Sequence, residues 1–340
     1  MASSAPGTRI TITDPRISRH HSSQLLEADD GPAGSESIDT ADHGIYGDPY
    51  QPIRFRIGNG GAGYTGILRV LAEAFISEQG NSFRIGWVSN HSRHTQIALL
   101  ADVVQVALTY EPDNEDLAIR EGWARRVGRA FDDHFLLVGS SNVDLHATKI
   151  GDALKAIVTR NAQGHNQEPL LFHSRGDGSA TFAKETWLWQ AAGLDVANRQ
   201  PDWIKIDPLT PYDALVKAEK EQAFLLTDRA TFLTAKQDGR IPLLAVRVEG
   251  GPELLNPCSV LVRAQRTGDT AEEVSRHDSA LSFAKWLTGS RAQEIVRGYG
   301  RDGKGGKPLF TVAGLDDFKD EDRLGRVPVR GRTPGDCGRL

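Results

Sequence analysis

The segment SRGDGSAT, residues 174–181, combines the residue types that bind small anions. It offers a fixed positive charge, backbone amides that glycine leaves accessible, and two hydroxyls at the start of an expected helix. These groups belong to Arg175, Gly176, Ser179 and Thr181. Together they suit a tetrahedral oxyanion. A structural interpretation stays open beside this one, in which Arg175 pairs with Asp177 and Ser179 only caps the helix.

A second glycine-rich segment, GNGGAG at residues 58–63, lies between an expected strand and an expected helix. Its GxGxxG spacing is that of dinucleotide-binding turns. The acidic residue that should hold the ribose hydroxyls is missing after the next strand, where Ser92 and Arg93 could instead meet a 2′-phosphate. An NADP-dependent oxidoreductase is therefore one alternative.

The same segment could equally hold a small anion. The backbone amides of Gly60 and Gly61 stand at a helix start, where unpaired N–H groups and the helix dipole favour negative charge. Thr65 adds a hydroxyl, and Ser89 and Asn90 offer donors in the loop after the second strand. The structural alternative is a tight turn that lets a helix pack closely on a strand.

A third segment, TDRAT at residues 227–231, follows an apolar strand and opens another helix. Thr227 and Arg229 are candidate ligands there, with Arg229 as the second cation after Arg175. The neighbouring Asp228 could instead hold the arginine structurally.

The stretches that position these loops alternate between strand and helix patterns. PIRFRI at 52–57 is typical of a strand and ILRVLAEAFISEQ at 67–79 of an amphipathic helix, and the alternation continues to about residue 289. The acidic stretch at 111–116 is predicted to be a loop. This pattern predicts an α/β chain with mainly parallel sheets.

The composition excludes several classes of protein. The 340 residues carry 40 Lys and Arg against 45 Asp and Glu, which lacks the basic excess that nucleic-acid binding needs. The two cysteines form no CxxC pair, so a zinc site is not expected. GxSxG is absent, which leaves nucleophilic catalysis without a motif. We expect a protein that is not an enzyme and holds neither metal nor cofactor.

The sequence also gives expectations about location and domains. It has no run of about 18 apolar residues and no apolar signal-peptide core after Met1, which predicts no membrane span and a cytosolic location. Low apolar content predicts a disordered arm at 1–51 and a charged tail at 311–340. Two lobes are expected between them: 52–133 plus 250–310 form lobe 1, and 134–249 form lobe 2.

Four segments together resemble those of a known family. SRGDGSAT, LWQAAG (188–193), TDRATF (227–232) and VEGGPELLNPCSV (248–260) are similar in order and spacing to SRGDDSGT, LWxxAG, TDRGT and VEGDPELLNPYSV. The latter set occurs in tungstate-binding substrate-binding proteins of ABC transporters, within the type II periplasmic-binding-protein superfamily. The resemblance covers about residues 54 to 300.

The resemblance implies a two-lobed fold that binds tungstate, molybdate or a similar small oxyanion in the cleft between the lobes. It also implies an ABC transporter as partner, which the lack of a recognised signal peptide leaves undecided. The chain departs from the family in its first loop, where GNGGAGYTGIL (58–68) stands for a hydroxyl-rich segment and only Thr65 remains. Because of that loss, one alternative is a protein with the same fold that binds no ligand and serves as an interaction module.

Overall fold

The computed structural model describes residues 9–14, 17, 23–26, 37–163, 168–177, 179–194, 201–300 and 308–314. The strands are β1 (Arg9–Thr11), β2 (Ser37–Asp39), β3 (Gly44–Tyr46), β4 (Ile53–Gly58), β5 (Arg84–Val88), β6 (Val106–Thr109), β7 (Ala124–Ser140), β8 (Phe172–Ser174), β9 (Ile204–Ile206), β10 (Phe224–Asp228), β11 (Leu244–Glu249) and β12 (Leu255–Arg263). The helices are α1 (Gly61–Tyr64), α2 (Ile67–Glu78), α3 (Ser92–Leu100), α4 (Pro112–Arg120), α5 (Ile150–Ala162), α6 (Ala180–Ala191), α7 (Pro211–Glu221), α8 (Arg229–Gln237), α9 (Ala271–Leu287) and α10 (Ser290–Gly298).

Within the described ranges, ten strands form one sheet. Its order is β3-β5-β4-β6-β12-β7-β10-β8-β9, and β11 pairs with β7 outside this path. The pairs β5–β4, β4–β6, β10–β8 and β8–β9 are parallel. The pairs that involve β7 and β12 are antiparallel. The chain is therefore the expected two-lobed α/β protein, but its sheet is mixed because antiparallel strands join two parallel sets.

Strand β7 runs through both halves of the sheet. Its residues from Ala124 to His134 pair with β12, whereas Phe135 to Val138 pair with β10. At about 3.3 Å per residue, its 17 residues span about 56 Å. One strand thus fixes how the two halves are joined.

The direction of the strands brings two loop sets towards the middle of β7. Strand β6 runs the same way as β7, because both are antiparallel to β12, and its last residue Thr109 lies level with Arg129. Strand β10 runs the opposite way and ends with Asp228 beside Phe135. The carboxyl ends of both parallel sets therefore face each other across the Arg129–Phe135 stretch.

Each half has its own apolar core. Phe131 belongs to the core that α2, α9 and the first strands share, whereas Phe135 belongs to the core around α5, α6 and β8. Helix α2 reaches its core through Leu68, Leu71 and Phe75, whose spacing places them on one helical face. Strand β7 thus passes from one core to the other between Phe131 and Phe135.

The expected disordered arm is wrong for the parts of residues 1–51 that the structure describes. Strand β3 is an edge strand of the main sheet, and β2 pairs with β1. Leu25 and Ile38 are buried in a core with α3. These few apolar residues pack because a neighbouring helix supplies the rest of the core, which composition alone does not reveal.

Two further expectations need correction. Phe310 and Thr311 are fully buried, and Thr311 bridges to Asp132, so the charged tail does not begin at residue 311. The stretch at 111–116 is not a loop but opens α4. Pro112 stands in its first turn with Asp113, where a missing N–H costs nothing and negative charge favours the helix.

We predict that a chain starting at residue 51 is destabilised. It would lack β3 and the buried side chains of Leu25 and Ile38, each worth about 1.5 to 3 kcal/mol when fully buried. We expect the melting temperature to fall by roughly 10 °C or more. Differential scanning calorimetry measures this. Deletion of residues 315–340 is the control, and equal melting temperatures for all three chains would contradict the prediction.

Candidate functional site

Arg175 and Ser179 lie where the sequence placed them, between β8 and α6. The guanidinium Nε of Arg175 donates to the Leu209 carbonyl at 2.9 Å, and a second nitrogen pairs with Asp177. Ser179 is the N-cap of α6, and its hydroxyl accepts from the Phe182 N–H at 3.4 Å. Both features belong to the structural interpretation of this segment. Arg175 therefore lies at the start of α6, and the charge of its guanidinium is balanced by Asp177 of the same turn.

The backbone of this turn is held in one shape. Gly176 has φ +54°, and a Cβ there would lie 2.3 Å from a methyl group of Ile206. A larger residue would therefore be both strained and in collision. Thr181 lies half-buried in the first turn of α6.

A buried acid lies behind the turn. Glu185 on α6 is 6% exposed, and burial raises the pKa of this carboxyl to about 8. The neighbouring Ser174 and Trp189 side chains oppose that pKa shift, and the positive charge of Arg175 opposes it more weakly. Glu185 is therefore largely protonated at neutral pH, and it has no counterpart among the residues predicted from sequence.

Arg229 lies at the carboxyl end of β10, as the first residue of α8. It is only 2% exposed and is among the largest fully buried side chains in the described residues. Asp228 caps the same helix, because its carboxylate accepts from the N–H and the hydroxyl of Thr231 at 2.7 and 2.8 Å. Thr227 is also buried and lies opposite Leu136 of β7.

Two buried residues that the sequence prediction missed lie near Asp228, the residue before Arg229. Burial raises the pKa of Asp133 well above its usual range, the negative charge of Asp228 adds to the rise, and Arg229 opposes it. Burial likewise raises the pKa of the Tyr110 hydroxyl, with Cys258, Asp133 and Asp228 near it. Tyr110 directly follows β6, so the rule that selects loops after strands could have found it. Asp133 lies within β7 and gave no such signal.

The glycines of the first loop are explained by close packing. A Cβ at Gly58 would lie 2.8 Å from Thr95, one at Gly60 would lie 3.0 Å from the Asn90 carbonyl, and one at Gly63 would lie 2.2 Å from the Trp87 ring. The helix after the loop, α1, has only four residues. The GxGxxG spacing thus reflects contacts within this half of the sheet.

The predicted ligand-binding residues of the first loop differ in their surroundings. No atom lies within 4 Å of a Cβ at Gly61, which is exposed, and Gly60 is the N-cap of α1. The hydroxyl of Thr65 donates to the Ala62 carbonyl at 2.7 Å. Thr65 is therefore committed to closing α1 and differs from the expected ligand role.

The second loop also differs from expectation. The side-chain oxygen of Asn90 accepts from the Asp39 N–H at 2.8 Å, and its amide donates to the Asp39 carbonyl at 2.9 Å. Asn90 thus holds β2 in place, which the sequence interpretation could not foresee because it treated residues 1–51 as disordered. Ser89 is half-buried, and its backbone N–H donates to His43 at 3.3 Å.

The structure therefore gathers the candidates into two groups. Gly60, Gly61, Ser89 and Tyr110 follow parallel strands of one half, and Arg175, Gly176, Ser179, Thr227 and Arg229 follow those of the other. In the described part of the chain, no three His, Cys, Asp or Glu side chains are arranged to hold a metal ion. Among the same residues, no helix has the length and apolarity to cross a membrane.

Comparison with known proteins agrees with this architecture. The model of the PBP superfamily domain matches residues 33–291. The chain belongs to this superfamily. The match includes β2 and β3, which the sequence interpretation had assigned to the arm.

Individual relatives of this PBP superfamily chain are distant. The tungstate-binding protein TupA of Peptoclostridium acidaminophilum is 29% identical over 177 residues, which are 52% of this chain and 57% of that one. The tungstate-binding protein TupA of Campylobacter jejuni is 25% identical over 253 residues, 73% of this chain and 86% of that one. The chain thus spans little more than half of the first relative's length.

A solved structure is similar over most of the fold. It is described as a periplasmic candidate metal-binding protein, is 28% identical, and has a TM-score of 0.69 over 80% of this chain and all of its own. The predicted cytosolic location is wrong, because the relatives of this PBP superfamily chain are binding proteins that include a periplasmic one.

We predict that Gly63→Ala destabilises the protein, whereas Gly61→Ala does not. The added methyl group at Gly63 would enter the Trp87 ring, and overpacking of this kind costs about 1 to 3 kcal/mol. The same group at Gly61 meets open space. Urea unfolding of both variants measures the difference. Equal free energies of unfolding would contradict the packing explanation of the glycine spacing.

We predict that Glu185→Gln stabilises the protein most at high pH. The folded-state pKa of about 8 lies above the ordinary 4.5, so the wild type loses stability as the pH rises between these values. Glutamine resembles the neutral form and avoids this loss. At pH 8.5 we expect a gain of roughly 2 to 4 kcal/mol over the wild type, and little gain at pH 4.5.

Chemical denaturation at the two pH values measures this gain, with the exposed Glu294→Gln as control. A gain from Glu185→Gln that does not depend on pH would show that the pKa of Glu185 is the same in the folded and unfolded protein.

Proposed function

We propose that this chain binds a small tetrahedral oxyanion of the tungstate or molybdate type between its two halves, without catalysis. The observation that carries the proposal is the buried side chain of Arg229 at the carboxyl end of β10. Tyr110 of the other half lies near Asp133 and Asp228, the residue before Arg229. A buried cation at the junction of two parallel strand sets is suited to an anion that both halves enclose. Closure of the halves would then shield the anion from water.

The electrostatics of the junction support an anion as ligand. An oxyanion that leaves water loses its hydration shell, so the site has to supply N–H donors, O–H donors and positive charge. Arg229 and Arg175 supply the charge, and Tyr110 adds a hydroxyl. The raised pKa of Asp133 favours its neutral form, which leaves more of the positive charge of Arg229 for a ligand.

The relatives support the same class of ligand. Two curated relatives are described as tungstate-binding proteins, and the SRGDGSAT and TDRATF segments resemble theirs. By the same analogy, we propose a location outside the cytoplasm and an ABC transporter as partner. The glycine-rich first loop would contribute backbone N–H groups of Gly60 and Gly61, with Ser89 beside them, in place of the hydroxyls that the family has there.

The two alternative functions lack a comparable observation. The GxGxxG glycines serve packing, and Arg93 donates to the Leu25 carbonyl at 3.2 Å, which directs it away from the first loop. Nothing in this half therefore favours NADP. An interaction module without ligand remains a possible outcome of the binding experiment.

We predict that Arg229→Ala abolishes oxyanion binding and that Arg175→Ala weakens it. A ligand charge left without its buried partner costs about 3 to 5 kcal/mol, a loss of at least a hundredfold in affinity. Isothermal titration calorimetry with tungstate and molybdate measures this. Arg291→Ala is the control, because Arg291 is an exposed arginine of α10 that pairs with Glu78 and Glu294.

Unchanged tungstate affinity in Arg229→Ala, with a melting curve that proves folding, would overturn this site. A thermal-shift series with sulfate, phosphate and NADPH tests the other ligands. A shift with NADPH alone would favour the oxidoreductase, and no shift with any compound would favour the interaction module.

A further inference from the structure

We propose that the Asp177 carboxylate is an internal anion that occupies the oxyanion position of the Arg175 turn and is displaced when an oxyanion binds. The inference rests on the proposed function and adds a residue that sets the affinity of the same site. Asp177 was considered above only as a structural partner of Arg175. Its two oxygens, however, contact two groups that an oxyanion would use.

The contacts of Asp177 are those of a bound anion. One carboxylate oxygen pairs with the guanidinium of Arg175, and the other accepts from the backbone N–H of Ser179 at 3.1 Å. A cation and the first amide of a helix are the donors that stabilise an oxyanion at such a turn. A ligand that uses both donors therefore has to replace both contacts of Asp177.

Arg175 and Gly176 can keep their positions while this carboxylate leaves. Arg175 is anchored independently of Asp177, because its Nε donates to the Leu209 carbonyl at 2.9 Å. Gly176 packs against Ile206, which fixes the backbone between the two charged residues. The Asp177 side chain is 19% exposed, so rotation about its own bonds can carry the carboxylate into water.

Other charged groups around the turn do not take over this role. The nearest acid on α6 is Glu185, which is buried beside Ser174 and Trp189 and is mostly protonated at neutral pH. Asp207, which lies beyond β9, pairs with Lys217 instead. Among these carboxyls, Asp177 alone neutralises Arg175.

Displacement makes a specific prediction about charge. The work of moving Asp177 aside is the same whichever anion enters, so removing its charge should raise the affinity for all anions by one common factor. A carboxylate that stayed in place would instead repel a divalent anion more strongly than a monovalent one. Tungstate and perrhenate test this difference, because both are tetrahedral MO₄ anions with charges of −2 and −1.

The experiment measures tungstate and perrhenate affinities of the wild-type protein, Asp177→Asn and Asp116→Asn by calorimetry. We expect Asp177→Asn to bind both anions more tightly, by the same factor of roughly ten. Asp116→Asn removes the carboxylate from another Arg–Asp pair, that of Arg126, and should change neither affinity.

Three results would overturn the inference. Weaker binding of both anions would make Asp177 a residue that positions Arg175, and unchanged binding would make it irrelevant to the ligand. A much larger gain for tungstate than for perrhenate would show that the carboxylate stays in the site beside the ligand.

A second measurement separates this inference from the proposed function. Phenylglyoxal modifies accessible arginines, and mass spectrometry reports its rate at Arg175 without any oxyanion. We expect severalfold faster modification in Asp177→Asn than in the wild type, and an equal rate would show that Asp177 does not cover the guanidinium. If no protein binds an oxyanion while Arg175 modification accelerates, the proposed function fails although Asp177 shields the arginine.

Discussion

The path of β7 determines where the loops that follow the two sets of parallel strands meet. Because one strand serves both halves, the parallel sets on its two sides must approach its centre from opposite directions. Loops after parallel strands are the usual binding loops of α/β sheets, since the strand ends leave backbone and side chains free of sheet pairing. Two such loop sets facing one another leave the centre of β7 as the meeting point, and Arg229 is buried there.

The sequence predicts the local elements well and the connections between them poorly. Helix α2 and strand β4 follow directly from apolar spacing and β propensity, and both lie within two residues of their expected ends. By contrast, the first part of β7 contains Arg125, Arg126 and Arg129, a polar run that does not look like a strand. This part forms a strand because β12 provides its hydrogen-bonding partner. Pairing between segments that are distant in the chain cannot be recognised from the neighbouring residues.

The candidate site likewise contains some residues that the sequence predicts and others that it does not. Arg175, Ser179 and Arg229 could be selected from sequence, because charge, glycine and helix caps occur together within a few positions. The roles of Thr65 and Asn90 could not, since their hydroxyl and amide are engaged by partners that the fold supplies. Tyr110 and Asp133 were missed because they act through burial beside residues distant in the chain.

A site for anions has to remain stable before an anion arrives. A buried arginine without negative charge nearby would cost several kcal/mol, so acidic residues lie beside both arginines: Asp177 pairs with Arg175, and Asp133 lies near Arg229 and Asp228. In the proposed site, each of these groups opposes the oxyanion when it is ionised. The opposition can be relieved by protonation, which the raised pKa of buried Asp133 permits, or by movement into water, which the exposure of Asp177 permits. The degree of burial thus determines whether an acidic residue loses its charge by protonation or moves its carboxylate into water. The ligand has to stabilise the site more than the carboxylates that it replaces.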